Sequence, residues 1–195
     1  AAFFTMPDWL QKINMPSFWM SYVEVSDVRA TTEHAKRLGA IIEIDVQDFG
    51  NGGRFALVRD PSGAGFTIYE GPSLSTRRSR SSETMRRYHH LADFRDIEPF
   101  YSDLFGWQFS PLEGRRWPSH RITSSTGAEI AIVEEMPAEV RGTFSYWMPC
   151  FGVGNLGDAC AELENCGGAI AVDLQDGRLI VSDQQGAHFM LNETK

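Results

Sequence analysis

The sequence predicts an α+β fold of tandem βαβββ units, and two observations carry that prediction. The first is an internal repeat. Met6-Pro7-Asp8 … Trp19-Met20 recurs as Met136-Pro137-Ala138 … Trp147-Met148. Beyond the tryptophans the chain matches itself at a constant offset of 128, pairing Val25 with Val153, Asp27 with Asn155, Gly39 with Gly167 and Asp45-Val-Gln-Asp48 with Asp173-Leu-Gln-Asp176. After a short gap the match resumes, Gly53-Arg54 against Gly177-Arg178 and Asp60-Pro-Ser-Gly-Ala-Gly-Phe66 against Asp183-Gln-Gln-Gly-Ala-His-Phe189. The second observation is the order of periodicities inside each copy: strand, helix, then three strands.

The elements follow in that order. Phe18 to Val25 reads as a strand, and Asp27 as the N-cap of a helix with Val28, Thr31, Ala35 and Leu38 on one face. Gly39 ends the helix. Ala40–Val46, Arg54–Arg59 and Gly65–Glu70 read as strands, with turns at Gly50-Asn-Gly-Gly53 and Asp60-Pro-Ser-Gly63. The glycine turn has neither a following helix nor a lysine, so it is a hairpin and no phosphate loop. A middle unit begins with Asp93 capping a helix that carries Phe94, Ile97, Tyr101, Leu104 and Phe105 and stops at Gly106. Strands around Trp107–Ser110, His120–Thr123 and Glu129–Glu134 complete it. In the last copy Asn155 is the cap, Leu156, Ala159, Leu163 and Cys166 form the stripe, and Gly167-Gly168 ends the helix.

This organisation divides the chain into a last strand and connector of a truncated first module (1–15), a βαβββ module (16–71), a linker (72–87), a second such module (88–142), and a third (143–195) expected to pair with the one before it. Aligning Met6 with Met136 implies about 45 residues of a first module ahead of Ala1. A module without its partner leaves an apolar sheet face or edge uncovered, so a homo-oligomer, in the simplest case a dimer, is expected. Gly71–Arg87 holds five arginines and one glutamate and reads as a solvated tether.

Composition narrows the function. The 195 residues carry 18 Lys+Arg against 26 Asp+Glu, a net charge of −8, which disfavours nucleic acid as a partner. No apolar run reaches the roughly 18 residues of a membrane span and no signal-peptide pattern opens the chain. Cys150, Cys160 and Cys166 form no CxxC pair and read as the reduced thiols of a cytoplasmic protein.

Phe100-Tyr101-Ser-Asp-Leu-Phe-Gly-Trp107, Leu38-Gly39-Ala40 and Gly53-Arg54-Phe55-Ala56 … Asp60-Pro61-Ser62-Gly63-Ala64 resemble the vicinal-oxygen-chelate superfamily of glyoxalase I, bleomycin-resistance proteins and extradiol dioxygenases. The Met-Pro … Trp connector, present twice, is similar to that of its tandem, hydroxylase-like branch. The resemblance covers nearly all of the chain except the basic linker. It implies glyoxalase-like modules whose curled mixed β-sheets carry helices on the outer face and line a ligand cup with the inner one. On that basis Phe66, Ile68, Ile130, Ile132, Phe189 and Leu191 are expected to face the helices, and Thr67, Ala131 and Met190 the cup.

Metal-dependent members of the family take a ligand from the first strand of a module and a glutamate from the last. Those positions fall here on Met20, Arg86 and Met148, and on Thr67, Ala131 and Met190, none of them a ligand for a hard divalent ion. The resemblance therefore implies a metal-free cup binding a small organic molecule, lined by Tyr88, His90, Glu129, Met148, Cys150, His188 and Met190. The alternative is a metal-dependent lyase or dioxygenase acting on a small oxygenated metabolite, with iron, zinc, nickel or manganese on a displaced His90–Glu129–His188 set. If the protein is an enzyme, His90 or Glu129 is the candidate general base. Cys150 has no histidine fixed beside it as a nucleophile requires, His34 and His120 read as surface or cleft residues, and Trp19, Trp147, Cys160 and Cys166 read as packing.

Overall fold

The structure is a computed structural model and describes Met6, Lys12 and residues 17–50, 52–72 and 85–194. The expected strand and connector over 1–15 and most of the basic linker lie outside the described residues. The chain divides into two compact units, one of residues 20–72 and 87–147, the other containing residues 148–194 with Trp19.

The first unit holds two βαβββ motifs. In the first, β1 (Tyr22–Glu24), α1 (Val28–Arg37), β2 (Ile41–Gly50), β3 (Gly53–Arg59) and β4 (Gly65–Glu70) give a sheet of order β1-β4-β3-β2. Only β1 and β4 run parallel in it. In the second, β5 (Met85–Leu91), α2 (Glu98–Phe105), β6 (Gln108–Pro111), β7 (Ser119–Thr123) and β8 (Glu129–Glu135) give the order β5-β8-β7-β6. A short α3 (Ala138–Arg141) then leads to β9 (Tyr146–Val153), whose first two residues still belong to this unit.

The expected helix after Asp93 is split. Phe94–Asp96 forms a 3-10 turn and the α-helix starts at Glu98, with Pro99 in its first turn, where an N–H has no partner within the helix to lose. Gly106 closes α2 at φ 65°, a left-handed position that suits glycine. The buried face of α1 carries Val28, Thr32 and Ala35, one position away from the expected Thr31. One hydrophobic core serves both motifs: Val28 and Ala35 of α1, Ala56, Val58, Phe66 and Ile68 of the first sheet, Ile97, Phe100 and Tyr101 around α2, and Ala131 and Val133 of β8. That arrangement corrects the expected facing of β8, in which Ala131, not Ile132, joins the helix side. Both faces of β8 are buried, so its sequence carries no polar alternation to read.

In the second unit β10 (Ala169–Asp173), β11 (Arg178–Ser182), β12 (His188–Glu193) and the remainder of β9 form the order β10-β11-β12-β9, with α4 (Leu156–Asn165) between β9 and β10. Trp19 sets its ring edge-on to Phe151 and Phe189 at 5.6 and 6.0 Å, confirming a packing role. Cys166 is exposed and does not complete the helix stripe. All three cysteines are free thiols. Among the described residues no helix is long and apolar enough to cross a membrane.

Two local devices recur in all three motifs. Asp60, Ser124 and Asp183 each open a turn to a Gly-Ala pair and accept, at 3.0, 3.2 and 3.0 Å, the amide of the alanine four residues on. Glu70, Glu135 and Glu193, at the ends of the last strands, accept the first free amide of each helix region, from Val28, Phe94 and Leu156. A carboxylate there satisfies an otherwise orphan N–H and complements the helix dipole. The Val28 amide, foremost, holds the Glu70 carboxyl below its usual range.

Candidate functional site

β5 places functional side chains on both of its faces. It runs parallel to β8 with Tyr88 opposite Ile132, His89 opposite Val133 and His90 opposite Glu134. Residues paired across a sheet share a face, so His89 points with Val133 into the core while Tyr88, His90, Ile132 and Glu134 share the other side.

On that other side His90 and Glu134 form a wholly buried pair, Nε2 to Oε2 at 3.2 Å, with no exposure of either side chain. The Tyr146 ring stands edge-on over the His90 imidazole at 5.2 Å, and the Tyr88 ring lies at 5.8 Å. Burial, chiefly, pushes the Tyr146 phenol up to about 12, and the Glu134 charge adds to the rise. Tyr146 therefore stays protonated and available as a donor. Histidine and carboxylate buried together are costly in stability and are characteristic of functional sites.

Glu129, expected beside His90, is elsewhere. It opens β8 exposed, ion-paired to Arg121 at 3.0 Å, and a register shift in the β7–β8 pairing separates it from the buried stretch that carries Glu134. The parallel register decides between the two glutamates, and that register links residues 44 apart in the chain. Glu134 and Tyr146 are thus the residues that sequence reasoning missed. Glu134 follows the apolar run Ile130–Val133 directly and precedes Glu135, so in the sequence it reads as the polar end of the strand. In the second unit Met148, Cys150 and Met190 are buried on one face of their sheet, with Met190 opposite Cys150. His188 occupies the same parity and is exposed. That face also holds Arg178, which is 2% exposed and ion-paired to Asp176.

On the core side of the first unit lies a second polar group. The Asp60 Oδ2 atom accepts from His89 Nε2 at 2.7 Å and from the Tyr101 hydroxyl at 2.8 Å, and that hydroxyl in turn accepts from Trp147 Nε1 at 3.0 Å. Burial alone would raise the Asp60 carboxyl, but His89, Ser62 and Tyr101 hold it below its usual range. Tyr101 is pushed well above the usual phenol range by burial and by the Asp60 charge. Two further histidines are structural: His120 stacks on Phe94 at 3.8 Å, and His34 pairs with Asp103 at 2.7 Å.

Beside this network is a cavity of about 250 Å³. Arg87 and the rings of Tyr22, Phe66, Tyr101, Trp107 and Trp147 line it, with Glu24 exposed among the remaining lining residues.

His90 and Glu134 supply two ligands, and among the described residues no group of three or more His, Cys, Asp or Glu gathers to hold an ion. Such ions take four to six ligands.

Comparison with known proteins places the fold. The Glyoxalase/Bleomycin resistance protein/Dioxygenase superfamily matches residues 2–68. That match covers about a third of the chain, and the tandem βαβββ motifs have a glyoxalase/dioxygenase-like fold. Among individual relatives, "Putative glyoxylase CFP32" of Mycobacterium bovis and of Mycobacterium tuberculosis is 26% identical over 182 residues, 90% of this chain and 69% of the relative. Of solved structures, the Mn(II)-bound glyoxalase from Novosphingobium aromaticivorans is similar with a TM-score of 0.56 at 13% identity, covering 88% of this chain and 61% of that one. 2,2',3-Trihydroxybiphenyl 1,2-dioxygenase from Sphingomonas wittichii is similar at 0.55 and 10% identity, covering 89% and 69%. At these identities the structures establish the fold.

Proposed function

We propose that the protein binds a small organic molecule, without a metal, at the sheet face that carries His90 and Glu134. The buried His90–Glu134 pair bracketed by Tyr88 and Tyr146 supports this reading. It sets aromatic rings around two directional polar groups, a combination found in small-molecule sites. His90, backed by the Glu134 carboxylate, is also the group to act as a general base if the bound molecule is turned over. The test is a thermal-shift screen of small oxygenated and aromatic metabolites on wild type, His90→Ala and Glu134→Gln. A stabilising ligand whose shift is lost in both variants supports the reading; a shift retained in both places the site elsewhere.

The metal-dependent lyase or dioxygenase is the second reading, favoured by the Mn(II)-bound glyoxalase among similar folds and by the imidazole–carboxylate chemistry of the pair. Plasma mass spectrometry decides it, because one ion per chain that disappears in His90→Ala would displace the metal-free proposal. Self-association belongs to the proposal as well. Ile41 and Phe144 are 62% and 75% exposed, and a second copy would cover such surface.

A further inference from the structure

The cavity of the first unit is a distinct place in the fold. Arg87 precedes Tyr88 on β5 and so lies on the core-side parity with His89, opposite His90 and Glu134. Its walls are rigid. Tyr101 stacks on Trp107 at 5.1 Å, Trp107 meets Trp147 edge-on at 6.3 Å, and the Tyr101 hydroxyl is fixed between Asp60 and Trp147. Rings held in this way lose little freedom when a ligand enters.

Arg87 is the anomaly. It is half-buried, burial alone lowers its pKa, and among the described residues no carboxylate comes within ion-pair distance of it. Glu24, the acidic group on the cavity lining, is exposed and makes no bridge to it. Cations removed from water are normally paired, and a guanidinium presents a planar fork matched to a carboxylate.

We propose that this cavity is a second ligand site, which takes a small aromatic carboxylate with its acid group on the Arg87 guanidinium and its ring against Tyr101, Trp107 and Trp147. A volume of about 250 Å³ limits the ligand to one or two rings. The recognition is electrostatic at one end and stacking at the other, so a neutral isostere keeps only the stacking.

Isothermal titration calorimetry with benzoate and indole-3-acetate, each against its primary amide, tests the proposal. At least one acid is expected to bind tenfold or more tightly than its amide. Arg87→Gln is expected to weaken the acid at least tenfold and leave the amide unchanged, with Arg87→Lys in between because it keeps the charge and loses the fork. Far-UV circular dichroism and the unfolding midpoint confirm that each variant is folded; should Arg87→Gln fail to fold, Arg87→Lys carries the test. No binding by either acid, equal binding of acid and amide, or an unaffected folded variant overturns the proposal. His90→Ala is expected to leave the acid's affinity within twofold. An equal loss there would refute a separate site, whereas retention separates this proposal from the one made for His90 and Glu134.

Discussion

Replacing Asp60 by Ala removes the acceptor on which two distant elements converge. His89 on β5 and Tyr101 on α2 both donate to Oδ2, while the Ser62 and Ala64 amides and the Ser62 hydroxyl donate to Oδ1. The Asp60 and His89 side chains have no exposure, and Tyr101 and Ala64 are fully buried, so water cannot substitute at those three donors. Each buried donor left unmade costs about 1–3 kcal/mol, and breaking a buried pair costs about 3–5 kcal/mol in total. We therefore expect Asp60→Ala to lose about 3–5 kcal/mol, a large part of the stability of a domain this size. Tyr101→Phe, which deprives Asp60 of one donor and Trp147 Nε1 of its acceptor, should lose about 1–3 kcal/mol. Urea unfolding followed by tryptophan fluorescence reads both. Should Asp60→Ala be too unstable to purify, Asp60→Asn, which preserves the turn, carries the same test. The pH dependence gives an independent check. The folded carboxyl titrates below its ordinary value of 3.8. Its contribution is therefore fully present above that value and fades as pH falls through the lower folded one. The gap between wild type and Asp60→Asn should accordingly be wide at pH 7 and narrow below pH 4. A loss under about 1 kcal/mol for Asp60→Ala, or a gap independent of pH, would refute the reasoning.

Gly168→Ala should destabilise the second unit by about 1–3 kcal/mol, since a Cβ there would sit 2.6 Å from both Leu163 Cδ1 and the Ser182 carbonyl oxygen. Gly154→Ala, where a Cβ meets nothing within 4 Å, should stay within about 0.5 kcal/mol, and comparable denaturant midpoints for the two would count against this packing account. Self-association predicts a sedimentation coefficient that rises with concentration in the micromolar range; a monomer throughout would rule it out.

Much of the architecture was legible because it is local. Capping by Asp27, Asp93 and Asn155, the Gly39 and Gly106 stops, and the Asp60 and Asp183 turns each depend on residues within about five positions, and the repeat displays them more than once. The same locality explains why the family resemblance could be read from short motifs. The glutamates that cap helices from the ends of the last strands, Glu70, Glu135 and Glu193, also recur along the chain, but their roles depend on contacts 37 to 42 residues away.

The sequence by itself determined the order of elements, their caps and turns, and the class of fold, because propensity and periodicity act over one or two turns of chain. Only the tertiary structure decided which residues meet. It set His90 against Glu134 and not Glu129, turned Ala131 toward the core, and joined His89 and Tyr101 through Asp60. Strands buried on both faces lose the alternation that would reveal their orientation. A parallel pair takes its register from packing across tens of residues, and no turn between neighbours fixes it.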